Sequence, residues 1–185
     1  MSDGDPRGAL GLASGTVVLA PHDPAWARAF ADEAARIRAA LGALPAEVAH
    51  VGSTAVPGLS AKPILDLMVG IAPDGDPAPY VAPLESLGYA CRGEHGLPGR
   101  HYFVRDDATG RRTHHLHLVA HGGPIWRAHL AFRDALRARP ERVAAYEALK
   151  HALAARHAGD RLSYTEGKAA FIHTTLREAG VDPAG

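Results

Sequence analysis

At 185 residues the chain is the size of a single domain, long enough to bury about two thirds of the surface its unfolded form exposes. With 46% hydrophobic and 22% charged residues it is neither disordered nor fibrous, and 20 Lys plus Arg against 20 Asp plus Glu leave no net field to draw nucleic acid or anionic lipid. One cysteine, Cys91, excludes an intrachain disulfide, and no apolar run nears the roughly 18 residues of a membrane span. The first fourteen residues lack the basic start and apolar core of a signal peptide, so a cytoplasmic protein without a membrane partner is expected.

Residues 1–15, rich in Gly and Ser without periodicity, read as a flexible arm, and 16–180 as one domain. A short β-type run at 16–20 leads to the turn Pro21-His22-Asp23-Pro24, with Asp23 placed to cap a helix over 25–43. Trp26, Phe30, Ile37 and Leu41 fall on one face of that helix, a core face. A strand is expected at 47–51, then a Gly-, Ser- and Pro-punctuated loop at 52–63. The most strand-like run, 64–71, is apolar throughout except for Asp66, as in a strand covered on both faces. After a surface connection come a short helix at 80–87, closed by Gly88, and the start of a strand at 89–92. Residues 100–105 and 113–120 read as an antiparallel hairpin, and three helices are expected at 125–138, 140–158 and 163–179.

Two constellations carry chemistry. In the first, a strand ends in Gly52-Ser53, whose small residues let backbone N–H groups approach phosphate oxygens, and Asp66 follows on the next strand. A carboxylate inside an apolar strand needs a partner, because an unpaired buried charge costs several kcal/mol. A metal, or an ion pair with a nearby Lys or Arg, supplies one, and the spacing leaves both open.

The second constellation is His114-His115-Leu116-His117, among twelve histidines in the chain. With a period of two, His115 and His117 share one strand face. If that face is also the face of Asp66, two imidazoles and one carboxylate form a set able to hold a divalent metal. Lys62, Arg100, Arg111, Arg112, Arg133 and Lys168 are the basic residues available for anionic groups, and Tyr164 and Lys168 share a helix face. Trp26, Trp126, Phe132 and Phe171 read as core.

The run from His50 to Leu59, His-Val-Gly-Ser-Thr-Ala-Val-Pro-Gly-Leu, continued by Ala61-Lys62-Pro63-Ile64-Leu65-Asp66, resembles the signature of the GrpB family. Pro21 to Trp26, Gly88-Tyr89, Pro98-Gly99-Arg100, His114 to His117, Phe132-Arg133-Asp134, Leu136-Arg137, Tyr146, Leu149-Lys150, Tyr164, Lys168 and Phe171 support it, covering about residues 17–179. The resemblance implies an α/β (α+β) nucleotidyltransferase-like fold: a mixed or antiparallel sheet flanked by helices, with a helical C-terminal part. In that superfamily Gly-Ser positions a triphosphate, and paired carboxylates on the next strand bind Mg²⁺. Gly52, Ser53 and Asp66 match this pattern, whereas Met68 stands where the second carboxylate would be.

The expected function is therefore metal-dependent transfer of a nucleotidyl or phosphoryl group from a nucleoside triphosphate, ATP first, to a small molecule or protein. Asp66, His115 and His117 would be the catalytic and metal residues, with Mg²⁺, or Zn²⁺ or Mn²⁺, as the ion. Gly52, Ser53, Thr54, Lys62, Arg100 and Lys168 would hold the nucleotide. The alternatives are a metal-dependent hydrolase or cyclase built on the same Asp and His residues, and a noncatalytic binding domain, for which Met68 is the motive.

Overall fold

The computed structural model describes residues 10–13 and 15–182. Its centre is one mixed sheet of β1 (Glu47–Val51), β2 (Leu65–Ile71), β3 (Ala90–Cys91), β4 (His101–Asp106) and β5 (Arg112–Ala120), in the order β1-β2-β5-β4-β3. β5 is central, parallel to β2 and antiparallel to β4, while β1 is antiparallel to β2 and β3 is antiparallel to β4. The helices are α1 (Ala25–Leu41), α2 (Ala78–Ser86), α3 (Pro124–Arg137), α4 (Pro140–Arg156), α5 (Arg161–Glu166) and α6 (Ala169–Glu178).

The two faces of β2 account for its nearly continuous apolar sequence. Leu65, Leu67, Val69 and Ile71 point to one side, where they pack with Trp26, Ile37 and Leu41 of α1 and Tyr80 and Leu84 of α2. On the other side Met68 packs with Ala49, Val51, Val119 and Trp126, the last brought by α3. Each of the larger side chains so buried contributes about 1.5–3 kcal/mol. Gly70 makes the α3 side possible, because a Cβ there would lie 2.7 Å from the Trp126 ring. The C-terminal helices form a separate apolar cluster, Leu136 and Tyr146 with Val56 and Leu59, against the loop after β1. No helix among the described residues is long and apolar enough to cross a membrane.

Asp23 starts α1 as expected, its carboxylate accepting from the Ala25 N–H at 2.8 Å. Three expectations differ from the structure. The run at 16–20 forms no strand, only a single bridge between Ala20 and Ala61. The helix expected over 163–179 is divided into α5 and α6 at Gly167, where a Cβ would sit 2.4 Å from Leu153 Cδ2; close packing of α4 holds the break. Of the arm expected at 1–15, residues 1–9 and 14 lie outside the described residues, but Leu10 to Ala13 are not loose. Leu12 is buried and exchanges two backbone hydrogen bonds with Arg112, the Gly11 N–H donates to Pro63 O, and Arg111 donates to Gly11 O. The glycines that suit an arm conceal two leucines that suit a core edge.

On the α1 side, Glu33 is buried and Arg105 of β4 grips both its oxygens at 2.6 and 3.0 Å, while the Tyr89 hydroxyl donates to Oε1 at 3.0 Å. Burial alone would raise the Glu33 pKa; the Arg105 hydrogen bond and charge outweigh it and hold the carboxyl below its usual value. A depressed carboxylate stabilises the fold above its unfolded value of 4.5, and that contribution is lost as pH falls through the folded value. Arg105→Ala leaves the buried carboxylate with only Arg36, 2.9 Å from Oε2, and the Tyr89 hydroxyl as donors, and is expected to cost about 1.5–3 kcal/mol in urea unfolding at pH 7. The loss should shrink below pH 4.5, where Glu33 no longer requires a counter-charge.

Candidate functional site

The parallel register of β2 and β5 sets Asp66 opposite His115 and Met68 opposite His117, and β4 sets Tyr102 opposite His117. Paired residues share a sheet face, so Asp66, His115 and His117 all look toward α3, as the spacing expected. His115 Nδ1 lies 2.9 Å from Asp66 Oδ1, which makes an imidazole, rather than a Lys or Arg, the direct partner of the strand carboxylate. Desolvation works against the charge of Asp66, but the His115 hydrogen bond, then the fields of His115, His117 and Lys62, hold its carboxyl well below the usual range. With Nδ1 donating to an ionised Asp66, Nε2 is an acceptor in the neutral ring and a second donor in the imidazolium. That nitrogen is buried without a partner, and so is His117 Nδ1.

His117 packs its ring against Tyr102 and His129, each with centroids 5.3 Å away, and its pKa is driven well down, first by burial and then by His129. His129 and Trp126 are three apart on α3, a spacing that puts both toward the sheet; this was the available sequence signal for a residue the motif reading missed.

β1 ends at Gly52, with φ 70°, and a tight 3-10 turn follows over Ser53–Ala55. A Cβ on Gly52 would lie 2.4 Å from Asp66 Oδ2, so glycine is required both by the backbone angle and by the carboxylate packed against it. Among the described residues the N–H groups of Ser53 and Thr54 donate to no protein acceptor, which leaves two donors at a phosphate-sized turn. The Thr54 side chain is otherwise engaged, 3.0 Å from His50 Nε2, and His50 stacks on Phe30.

Lys62 and Lys168 both reach the ring of Tyr164, with Nζ 5.9 and 4.6 Å from its centroid. Lys62 is lowered, first by burial; Lys168 is pushed down to about 8 by burial and then by Lys62. The other basic candidates are more committed. Arg100 donates to the carbonyls of Glu94 and His95 and lies over Tyr102, Arg111 holds Gly11, Arg112 pairs with Asp106, and Arg133 holds the His50 carbonyl and Asp134. Beside His115 a cavity is lined by Lys62, Arg112 and Arg161 together with Leu12, Ala13, Gly15, Thr16 and Ile64. Arg161 is a cavity residue that the motif reading did not name.

The residues present do not fit the paired-carboxylate metal centre of the superfamily. Met68 is fully buried in the apolar cluster under α3, Asp66 Oδ1 is occupied by His115, and among the described residues no three His, Cys, Asp or Glu side chains are arranged to hold an ion.

The family model described as GrpB protein matches residues 16–178. The chain belongs to the GrpB family. A crystal structure of the conserved protein GrpB from Enterococcus faecalis superposes with a TM-score of 0.79 at 35% identity, covering 88% of this chain and 96% of that one. A UPF0157 protein of Pseudomonas aeruginosa is 44% identical over 167 residues, 88% of this chain and 67% of that protein. A dephospho-CoA kinase of Mycolicibacterium paratuberculosis is 30% identical over 91% of this chain, which spans only 47% of that enzyme's length. The GrpB fold is thus the expected one, a mixed sheet flanked by helices with a helical C-terminal part.

Gly52→Ala is expected to destabilise the fold by more than the roughly 1 kcal/mol of a left-handed backbone alone, because the methyl group also displaces Asp66. Chemical denaturation measures the cost, and loss of the His115 to Asp66 hydrogen bond by NMR marks its cause. A second expectation concerns pH. Burial holds His50 neutral with a pKa pushed down to about 4, whereas the unfolded chain titrates at 6.5. A depressed histidine gives up stability as pH falls from 6.5 toward 4, since only the unfolded state takes the proton, at up to about 1.4 kcal/mol per pH unit. His50→Gln should flatten that stretch of the stability curve measured by urea unfolding.

Proposed function

We propose that this GrpB-family chain binds a nucleoside triphosphate, ATP first, beside Asp66 and transfers a nucleotidyl or phosphoryl group from it to a small-molecule or protein acceptor. The supporting observation is a pair of cations without a counter-ion. Lys62 and Lys168 flank one ring, repel each other, and have no carboxylate within ion-pair distance among the described residues. Asp66 acts on both, but its Oδ1 already belongs to His115. Two desolvated ammonium groups side by side are costly, and a polyphosphate removes that cost while bonding to both.

The rest of the site suits the same ligand. The free Ser53 and Thr54 N–H groups lie at the turn that touches Asp66 through Gly52. The relative named as a dephospho-CoA kinase belongs to the same reaction class, phosphoryl transfer, and the chain spans about half its length. In this reading Mg²⁺ travels on the nucleotide's phosphates rather than on a protein cluster, and Asp66 serves to fix His115.

Calorimetry with Mg²⁺-ATP is the test. Binding is expected in the micromolar to millimolar range, with Lys168→Ala weakening it by about tenfold, the value of one charge-assisted contact. No heat at millimolar Mg²⁺-ATP would overturn the proposal. Tight binding without nucleotide turnover in the presence of candidate acceptors would instead favour a noncatalytic nucleotide-binding domain.

A further inference from the structure

The cavity beside His115 is distinct from the Lys62, Tyr164 and Lys168 cluster in all but one of its members. We propose that it is a subsite for one proton-carrying tetrahedral oxyanion, a phosphate group of the acceptor, closed on its outer side by residues 12, 13, 15 and 16. Its role as an acceptor site rests on the transfer reading above; its existence as an anion site does not.

Three observations carry it. The lining supplies Lys62, Arg112 and Arg161 and no carboxylate. Arg161 makes no side-chain ion pair or hydrogen bond among the described residues, whereas Arg112 is anchored by Asp106 and holds its guanidinium at the wall. His115 lines the cavity, and its ring carries a buried Nε2 with no partner while the other nitrogen is fixed by Asp66. A buried unpartnered imidazole nitrogen is a missing hydrogen bond worth about 1–3 kcal/mol.

The state of that nitrogen selects the anion. As an acceptor, Nε2 needs a ligand that brings an O–H, and hydrogen phosphate or a phosphomonoester monoanion brings one along with the charge that the three cations favour. If the proton passes to Nε2, the imidazolium sits between Asp66 and the phosphate and donates to both, so either proton position is satisfied. Sulfate carries no proton at neutral pH and can satisfy Nε2 only after the ring is charged from solvent.

The wall at residues 12, 13, 15 and 16 sets access. About 20 Å³ of the cavity is open to the centre of a water molecule, room for about one water. A phosphate therefore enters only as this segment yields. It is tied down by the Leu12 and Arg112 backbone pair and by Gly11 to Pro63, and residues 10–15 precede the part of the chain that the family model matches, which begins at residue 16.

Calorimetry of the full chain at pH 7 and low salt, with inorganic phosphate and with sulfate as probes, tests the proposal. Phosphate is expected to bind in the millimolar range or tighter and sulfate about tenfold more weakly. Arg161→Ala should weaken phosphate by about tenfold while leaving the Mg²⁺-ATP affinity within about twofold, and Lys168→Ala should do the reverse. His115→Gln should abolish the preference for phosphate over sulfate. Absence of phosphate binding at about 10 mM, or equal binding of the two anions by the unaltered protein, overturns the subsite even if Mg²⁺-ATP binds. Phosphate binding with the stated preference sustains it even if Mg²⁺-ATP does not.

Discussion

The site depends on one contact, the hydrogen bond from His115 Nδ1 to Asp66 across the parallel pairing of β2 and β5. Parallel neighbours in register hold their side chains on the same face at a fixed separation, so the backbone ladder itself sets the distance between acid and imidazole. Gly52 then closes the opposite side of the carboxylate by bringing the end of β1 where no side chain fits. An ionised Asp66 is thereby kept among groups that are mostly basic, and a single tautomer of His115 follows. Every basic group nearby is less neutralised than it would be if Asp66 were free to pair with Lys62 or Lys168.

The two faces of the sheet resolve buried charge in opposite ways. Toward α1, Glu33 is satisfied on both oxygens by Arg105, with Tyr89 and Arg36 as further donors. Toward α3, His115 Nε2 and His117 Nδ1 are left without partners, and near the same edge the Lys62 and Lys168 ammonium groups share the Tyr164 ring with no carboxylate in ion-pair distance among the described residues.

Much of this was legible in the sequence because it follows from short-range rules. The strand around Asp66, the hairpin carrying His115 and His117, and the helical C-terminal part come from apolar periodicity and turn residues. The convergence of Asp66 with both histidines needed only the pleat and the right pairing partner. What the sequence did not reveal depends on packing between distant segments. Leu12 against Arg112 and Leu153 against Gly167 join separate segments of the chain, and no local pattern announces them. Arg161, next to the Asp160 cap of α5, reads in sequence as an ordinary solvated helix start. Only the break at Gly167 and the course of α4 bring it to the cavity.

Met68 of this chain takes the place of a second carboxylate for a packing reason. Its side chain lies between Val51, Val119 and Trp126, under a ring that Gly70 admits at close range. A second carboxylate at that point would be surrounded by hydrocarbon, with His117 as its cross-strand neighbour but with the apolar cluster that seats α3 lost. α3 carries His129 against His117 and Arg133 against the His50 carbonyl, so the packing of Met68 is what places those groups over the sheet. The residue that interrupts the metal pattern is thus the one that holds the cover of the site in place.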